Sequence, residues 1–171
     1  MVIDNFKICF IEDRELNEDM IREIIKIKQH HWNYSYDEHK KWIRENINHD
    51  EHHLIVMNSN NQAIAYLNII KTSIIYNNIE EEVLGVGNVC VDKNYSGKGI
   101  GKLIMDICNY YLSSCGKRSI LLCKQDLVKF YEKSGWNKYE GELYINDTKC
   151  NVELMLSDNV ISPQVTVTRN F

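Results

Sequence analysis

The chain has no apolar run approaching the ~20 residues that a bilayer-crossing helix needs, so no segment reads as membrane-spanning. It has no long basic run and carries a net charge of −4, which argues against nucleic acid as its main partner. That charge is compatible with a cationic substrate. None of its six cysteines forms a C-x-x-C pair, and at 171 residues the chain is not a small secreted scaffold. Reduced, buried thiols are therefore expected, and with them a cytoplasmic location. The first ten residues, MVIDNFKICF, lack a basic region followed by an apolar one, so no signal peptide is expected. No internal repeat and no linker interrupts the sequence, and residues 1–171 read as a single domain with a sizeable core. The lone proline carries no functional information.

What the sequence does have is one organised stretch, Gly85 to Leu103, reading GVGNVCVDKNYSGKGIGKL. Val86, Val89 and Val91 are β-branched, which predicts a short strand. Asp92, Lys93 and Asn94 end the apolar pattern, and Gly97, Gly99 and Gly101 follow at alternate positions. Ile100, Leu103, Ile104, Ile107 and Tyr111 then recur at helical spacing. The order strand, glycine loop, helix has a physical use. The first N–H groups of a helix lack internal partners and sit at the positive end of its dipole. Glycines let a phosphate approach that backbone closely, and Lys98 and Lys102 add positive charge. The stretch is a candidate pyrophosphate cradle.

Its spacing fits neither common nucleotide class. A Walker loop requires glycine five residues before Gly101, where Ser96 stands, and Ser or Thr after Lys102, where Leu103 stands. A dinucleotide fingerprint requires G-x-G-x-x-G, and the chain has G-x-G-x-G. The run Ser96-Gly97-Lys98-Gly99-Ile100-Gly101 instead resembles the acetyl-CoA loop of the GNAT superfamily of N-acetyltransferases, Arg/Gln-x-x-Gly-x-Gly/Ala. Ser96 replaces the long polar residue at its first position. The resemblance implies that acetyl-CoA is held by Ser96, Gly97, Lys98, Gly99, Ile100, Gly101 and Lys102, and by the backbone of the strand at Val89, Cys90 and Val91. It also implies an α/β (α+β) fold: a mixed, mostly antiparallel twisted sheet with helices on both faces.

Elsewhere the pattern predicts a strand over residues 6–11 and a helix capped by Asn17 running to about His31. A second helix is expected to open near Asp37, Glu38 and His39, carrying Trp42, Ile43 and Ile47 inward. Strands follow over residues 53–58 and 63–71, with a turn at Ser59–Asn61 and another at Asn77-Asn78. Glu80, Glu81 and Glu82 form an acidic run, which ordinarily is a solvated face. Arg118–Cys123 reads as a buried strand and residues 125–135 as a helix stopped by Gly135. Residues 139–145 and 150–156 read as strands, and the tail from Ser157 shows no helical period. His49 and His53 stand four apart, as two metal ligands on a helix would, but no third ligand completes a motif, and no metal is expected.

The segment VKFYEKSGW, Val128–Trp136, also resembles the GNAT pattern, with Tyr131 on the family's tyrosine. Departure of the coenzyme A thiolate needs a proton. A thiol titrates near ~8.5 and a phenol near ~10, so Tyr131 could donate one as charge develops. On residue chemistry alone a packing role for Tyr131 is the favoured reading, and the acid role is what the resemblance implies. Relatives carry a glutamate base on the cofactor strand, where this chain has Gly87-Asn88. Glu82 is the nearest upstream acid and the candidate base, with Glu80 and Glu81 as alternatives. Asp37 and Glu38 could attract a cationic substrate. In the family a bulge in the cofactor strand exposes a backbone N–H as the oxyanion donor, a role the resemblance implies for Val89.

The resemblance implies acetyl transfer to a primary amine of a small molecule, and many relatives pair as dimers, so a homodimer is allowed. A narrower resemblance in layout, IIYNN followed by the cofactor elements and the Gly-Trp, points to the aminoglycoside 2′-N-acetyltransferases. The phrase LLCKQDLVKFYEKSGW is also similar to the glucosamine-phosphate N-acetyltransferases. Two other readings stand beside the small-amine enzyme: acetylation of a protein or peptide amine, and a non-catalytic module that holds acyl-CoA.

Overall fold

The computed structural model describes residues 5–171. Its contacts divide the chain into two compact units, one extending to Ile70 together with Asn88–Cys108, the other comprising Lys71–Gly87 and Asn109–Phe171. Two long strands and one long helix pass through both units.

The first unit contains β1 (Lys7–Glu12), α1 (Glu18–Gln29), α2 (Tyr36–Asn46), β2 (His52–Met57), the start of β3 (Ala63–Tyr76), the end of β4 (Ile79–Val91) and the start of α3 (Ile100–Cys115). β1 pairs antiparallel with β2, and β2 with β3. Asn17 caps α1, its side chain accepting the Met20 N–H at 2.9 Å. Ile24, Ile25 and Ile27 lie on one face of the helix and are at most 1 % exposed, each contributing on the order of 1.5–3 kcal/mol by burial. They pack with Ile43, Ile55, Tyr66 and Cys90 in one cluster. α2 starts one residue earlier than the acids suggested. Ser35 caps it and forms a reciprocal box with Glu38, so Glu38 is committed to holding the helix end.

The histidines are used structurally. Tyr66 Oη and His53 Nδ1 are 2.8 Å apart, and His53 Nε2 lies 3.2 Å from Asp13 Oδ1. Both side chains are buried. The partners fix the tautomer, with Tyr66 O–H donating to Nδ1 and Nε2–H donating to the carboxylate. His49 Nδ1 is 3.3 Å from the other Asp13 oxygen. Among the described residues no three or more His, Cys, Asp or Glu side chains are grouped to hold a metal.

The second unit holds the rest of β3, the start of β4, the end of α3, then β5 (Ser119–Cys123), α4 (Val128–Lys133), β6 (Asn137–Lys138), β7 (Glu142–Ile145), β8 (Thr148–Lys149), β9 (Glu153–Leu156) and β10 (Gln164–Val167). The strand order is β6-β9-β5-β4-β3-β10-β7-β8. Of the pairings around it, β4–β5 and β7–β10 are parallel, while β5–β9, β6–β9, β7–β8 and β3–β10 are antiparallel. The expected mixed, mostly antiparallel α/β sheet is therefore what the chain forms. Asn77 and Asn78 are both left-handed, the backbone that a two-residue hairpin turn between β3 and β4 requires.

Three expectations need correcting. The strand expected over 63–71 continues to Tyr76, because Thr72 and Ser73 do not break the pleat. The cofactor strand, expected to be short, begins at Ile79 and takes in the acidic run Glu80–Glu82. The tail contributes β10, whose four residues are too short for periodicity to reveal but which pairs on both edges. The thiols follow the expectation: all six are free, and burial pushes Cys90 and Cys108 up to about 12 and Cys123 up to about 11. Among the described residues no helix is long and apolar enough to cross a membrane.

Lys28 is the exception in the first core. It is 2 % exposed, with its ammonium 4.2 Å from the centre of the Trp42 ring. Burial lowers its pKa from 10.5 to about 8, against the attraction of the aromatic face. Between those values the unfolded chain holds a proton that the folded one has lost, so stability rises with pH from about 8 to 10.5 and is lowest below 8. Lys28→Met should raise unfolding stability at pH 7 by roughly 2–3 kcal/mol and abolish that rise. Urea denaturation at pH 7 and pH 10 checks both; an unchanged slope in the variant would refute the assignment.

Candidate active site

The cofactor strand is not regular. Asn88, within β4, has φ +54°, a left-handed conformation in a run whose other non-glycine residues are extended. Its Nδ2 donates to Asn68 Oδ1 at 2.7 Å. Left-handed residues inside strands mark bulges, which redirect the backbone beyond them. Just past this point lie Val89, Cys90 and Val91. Cys90 turns its side chain into the first core and is 3 % exposed, so only its backbone is available for binding. The Asp92 N–H bonds to Ile64 C=O at 2.8 Å, so the Val91 C=O faces the opposite edge. There it accepts a hydrogen bond from His31 Nε2 at 2.7 Å.

The loop begins with Asp92, whose carboxylate accepts the Asn94 N–H at 2.8 Å and starts one short turn over Lys93–Tyr95. Ser96 is extended. Gly97 and Gly99 then take φ +72° and +83°, and a Cβ at either would touch nothing within 4 Å. Their glycine identity is set by backbone conformation and not by crowding. Leu103 is the first residue of α3 whose N–H bonds back, to Gly99 C=O at 3.0 Å. The N–H groups of Ile100, Gly101 and Lys102 therefore have no acceptor one turn behind them. Ile100, 5 % exposed, anchors the turn. The two lysines are partly engaged: Lys98 lies 5.4 Å from the Tyr95 ring centre, and Lys102 pairs with Asp106. The positive charge of the cradle rests chiefly on the helix terminus.

In the second unit Tyr131 lies on α4 and is 5 % exposed, its ring edge-on to Phe130 at 5.0 Å. The helix end is tightly tied. Ser134 and Trp136 N–H both bond to Tyr131 C=O, and Gly135, at φ +88°, bonds to Glu132 C=O. Asn109, in the second half of α3, receives the Trp136 indole N–H at 3.1 Å and donates to Ser134 C=O at 2.8 Å. Glu82 is the outlier among the expected residues. It pairs with Lys117 Nζ at 2.9 Å, its side chain 79 % exposed, and the hydrogen bond from Lys117 holds its carboxyl below the usual range. A base acting near neutral pH gains from the opposite shift.

The sequence pattern thus located the strand, loop and helix that the first unit brings together from Val89 to Lys102, and Tyr131 on its helix. It missed Asn68, Asn88, His31 and Asn109. An asparagine in a strand between valines was the one available signal, since asparagine tolerates the left-handed region. The other three depend on contacts distant in sequence.

Residues 13–149 match the family model described as the acetyltransferase (GNAT) domain. The chain belongs to that family and is an N-acetyltransferase. No curated protein matches it in sequence. Among solved structures, Escherichia coli ElaA aligns over 90 % of this chain and 100 % of its own with a TM-score of 0.67 and 16 % identity. The GNAT family N-acetyltransferase YhbS of Escherichia coli, in complex with CoA, aligns over 97 % and 92 % at TM-score 0.64 and 15 % identity. A GNAT family acetyltransferase from Brucella melitensis, in complex with acetyl-CoA, aligns over 96 % of each chain at TM-score 0.61 and 16 % identity. At these identities the likeness is one of fold. The aminoglycoside 2′-N-acetyltransferase resemblance rests on sequence layout alone.

Asn109 and Trp136 together hold the end of the tyrosine helix. Trp136→Ala should destabilise the protein by roughly 3–5 kcal/mol, and Asn109→Ala by about 1–3 kcal/mol through two unpaired groups. Thermal unfolding of both checks this. Losses below half a kcal/mol would contradict it.

Proposed function

We propose that the protein transfers an acetyl group from acetyl-CoA directly to a primary amine of a small molecule, with Tyr131 as general acid. The observation that carries the reading is the bare first turn of α3, reached through two left-handed glycines from a kinked strand. Three N–H groups without internal acceptors, at the positive end of a 16-residue helix, suit a pyrophosphate. Ser96 to Lys102 line that turn, and the Val89 and Val91 backbone offers a strand edge to the pantetheine arm. Acetyl-CoA is the co-substrate, in keeping with the CoA and acetyl-CoA complexes of the Escherichia coli and Brucella melitensis relatives.

Binding in one place supplies most of the acceleration, by turning a two-body reaction into an oriented one. The amine nitrogen forms a bond to the thioester carbon, the carbonyl oxygen takes up charge, and the C–S bond then breaks. The Val89 N–H is the donor proposed for that oxygen. The Tyr131 hydroxyl gives its proton to the departing sulfur. The acceptor's own proton is assigned to Glu82 only with Lys117 displaced, since the pair in place makes the carboxylate a weak base.

Coenzyme A release should be measured over aminoglycosides, polyamines, amino sugars, amino acids and short peptides. Release with one small-amine class, reduced about 10²–10⁴-fold in Tyr131→Phe, is expected. Unchanged release in that variant would sink the acid role, and release only with peptides would favour a protein N-acetyltransferase. Acetyl-CoA binding without turnover would favour the non-catalytic module. Glu82→Gln with undiminished kcat/KM would remove Glu82 from the mechanism.

A further inference from the structure

Asn68 is fully buried on β3, and its Nδ2 has no hydrogen-bond partner among the described residues. A buried amide kept for stability would satisfy both ends, since an orphaned donor loses its hydration for nothing. Asn68 instead spends its oxygen on one partner, the Asn88 Nδ2 at 2.7 Å, and leaves its nitrogen unpaired. That partner is the residue of β4 with positive φ, +54°. A non-glycine residue in this conformation is unfavourable and persists where its surroundings over-determine it. Here the side-chain hydrogen bond to Asn88 comes from Asn68 on the neighbouring strand. The bond fixes Asn88 χ angles and backbone together, one residue ahead of Val89.

We propose that the Asn68–Asn88 amide pair is a positioning device that holds the kink in the cofactor strand and so aims the Val89 N–H at the thioester carbonyl. The inference rests on the acetyl-CoA reading above. Neither asparagine takes part in the chemistry. Asn68 holds Asn88, Asn88 holds the peptide that follows, and the peptide meets the acetyl group. A kink of this kind turns one donor out of line and leaves the strand edge beyond it, along which the pantetheine arm would lie, as it is. Without the side-chain bond, the strand relaxes toward an extended path and the donor swings away. Glycine at position 88 would permit the same φ but would not enforce it.

The distinguishing readout compares two ligands that differ only by the acetyl group. Calorimetric affinities of acetyl-CoA and CoA are measured for the native protein, Asn68→Ala, Asn88→Gly and the double variant. Their thermal unfolding confirms that each is folded. The native protein should prefer acetyl-CoA by about fivefold, the worth of one hydrogen bond to the carbonyl. That preference should vanish in either single variant, and the double should be no worse than the singles. CoA itself should bind all four proteins alike, which a merely structural role would not predict. A preference retained in both single variants overturns the proposal, as does a native protein that binds the two ligands equally. Loss of CoA affinity in parallel with acetyl-CoA would assign the pair a structural role. Failure of the native protein to bind either ligand overturns the acetyl-CoA reading first, and this inference with it.

Discussion

Every α-helix begins with N–H groups it cannot bond, and most proteins hide them under a serine, threonine or aspartate cap. The two helices that open the chain do this with Asn17 and Ser35. α3 does not. It starts from Gly99, a residue with no side chain to offer, and its first turn is left to an outside acceptor. The features around it follow from that constraint. Gly97 and Gly99 must be left-handed to bring the loop round, Asp92 must stop the strand cleanly, and Ile100 must tether the turn in the core. A helix end without a cap is unfavourable on its own and becomes an asset when an anion arrives.

The strand that feeds this turn carries a second departure from regularity. β4 is long, 13 residues, and its earlier part is held by parallel pairing with β5 at Leu84–Val86. Further along, Asn88 leaves the extended region, and the Val91 C=O finds a histidine. Edges of strands are reactive places, available to any extended partner. In an enzyme that must align a long flexible arm, such an edge gives orientation without demanding particular side chains. The side chains of Val89, Cys90 and Val91 are free to serve packing, and Cys90 does so with a thiol too costly to ionise at neutral pH.

How much of this could be read in the sequence depends on the range of the interaction. The glycine loop was legible because its information is local: three glycines in five residues between a β-branched run and a helical period. The hairpin at Asn77-Asn78 and the cap at Asn17 were legible for the same reason. β10 was not, because four residues define no period and its partners lie some 20 and 90 residues away in sequence. Glu82 as a base followed from proximity to the cofactor strand along the chain. Its pairing with Lys117 comes from a residue 35 positions away, and no pattern in the acidic run foretells it. Asn68, Asn109 and His31 were invisible on the same ground, each ordinary in its own neighbourhood and defined by a distant contact. Lys28 carries no local mark of its burial either, which comes from packing that includes Trp32 and Trp42.

The most direct test of the account is an amide-resolved NMR titration with CoA, run beside adenosine 3′,5′-bisphosphate, which lacks the pyrophosphate and the arm. The account predicts that the N–H resonances of Ile100, Gly101 and Lys102 shift strongly downfield with CoA and little with the bisphosphate. Equal shifts with both ligands, or shifts elsewhere that leave the first turn of α3 unmoved, would contradict the assignment of that turn as the pyrophosphate cradle.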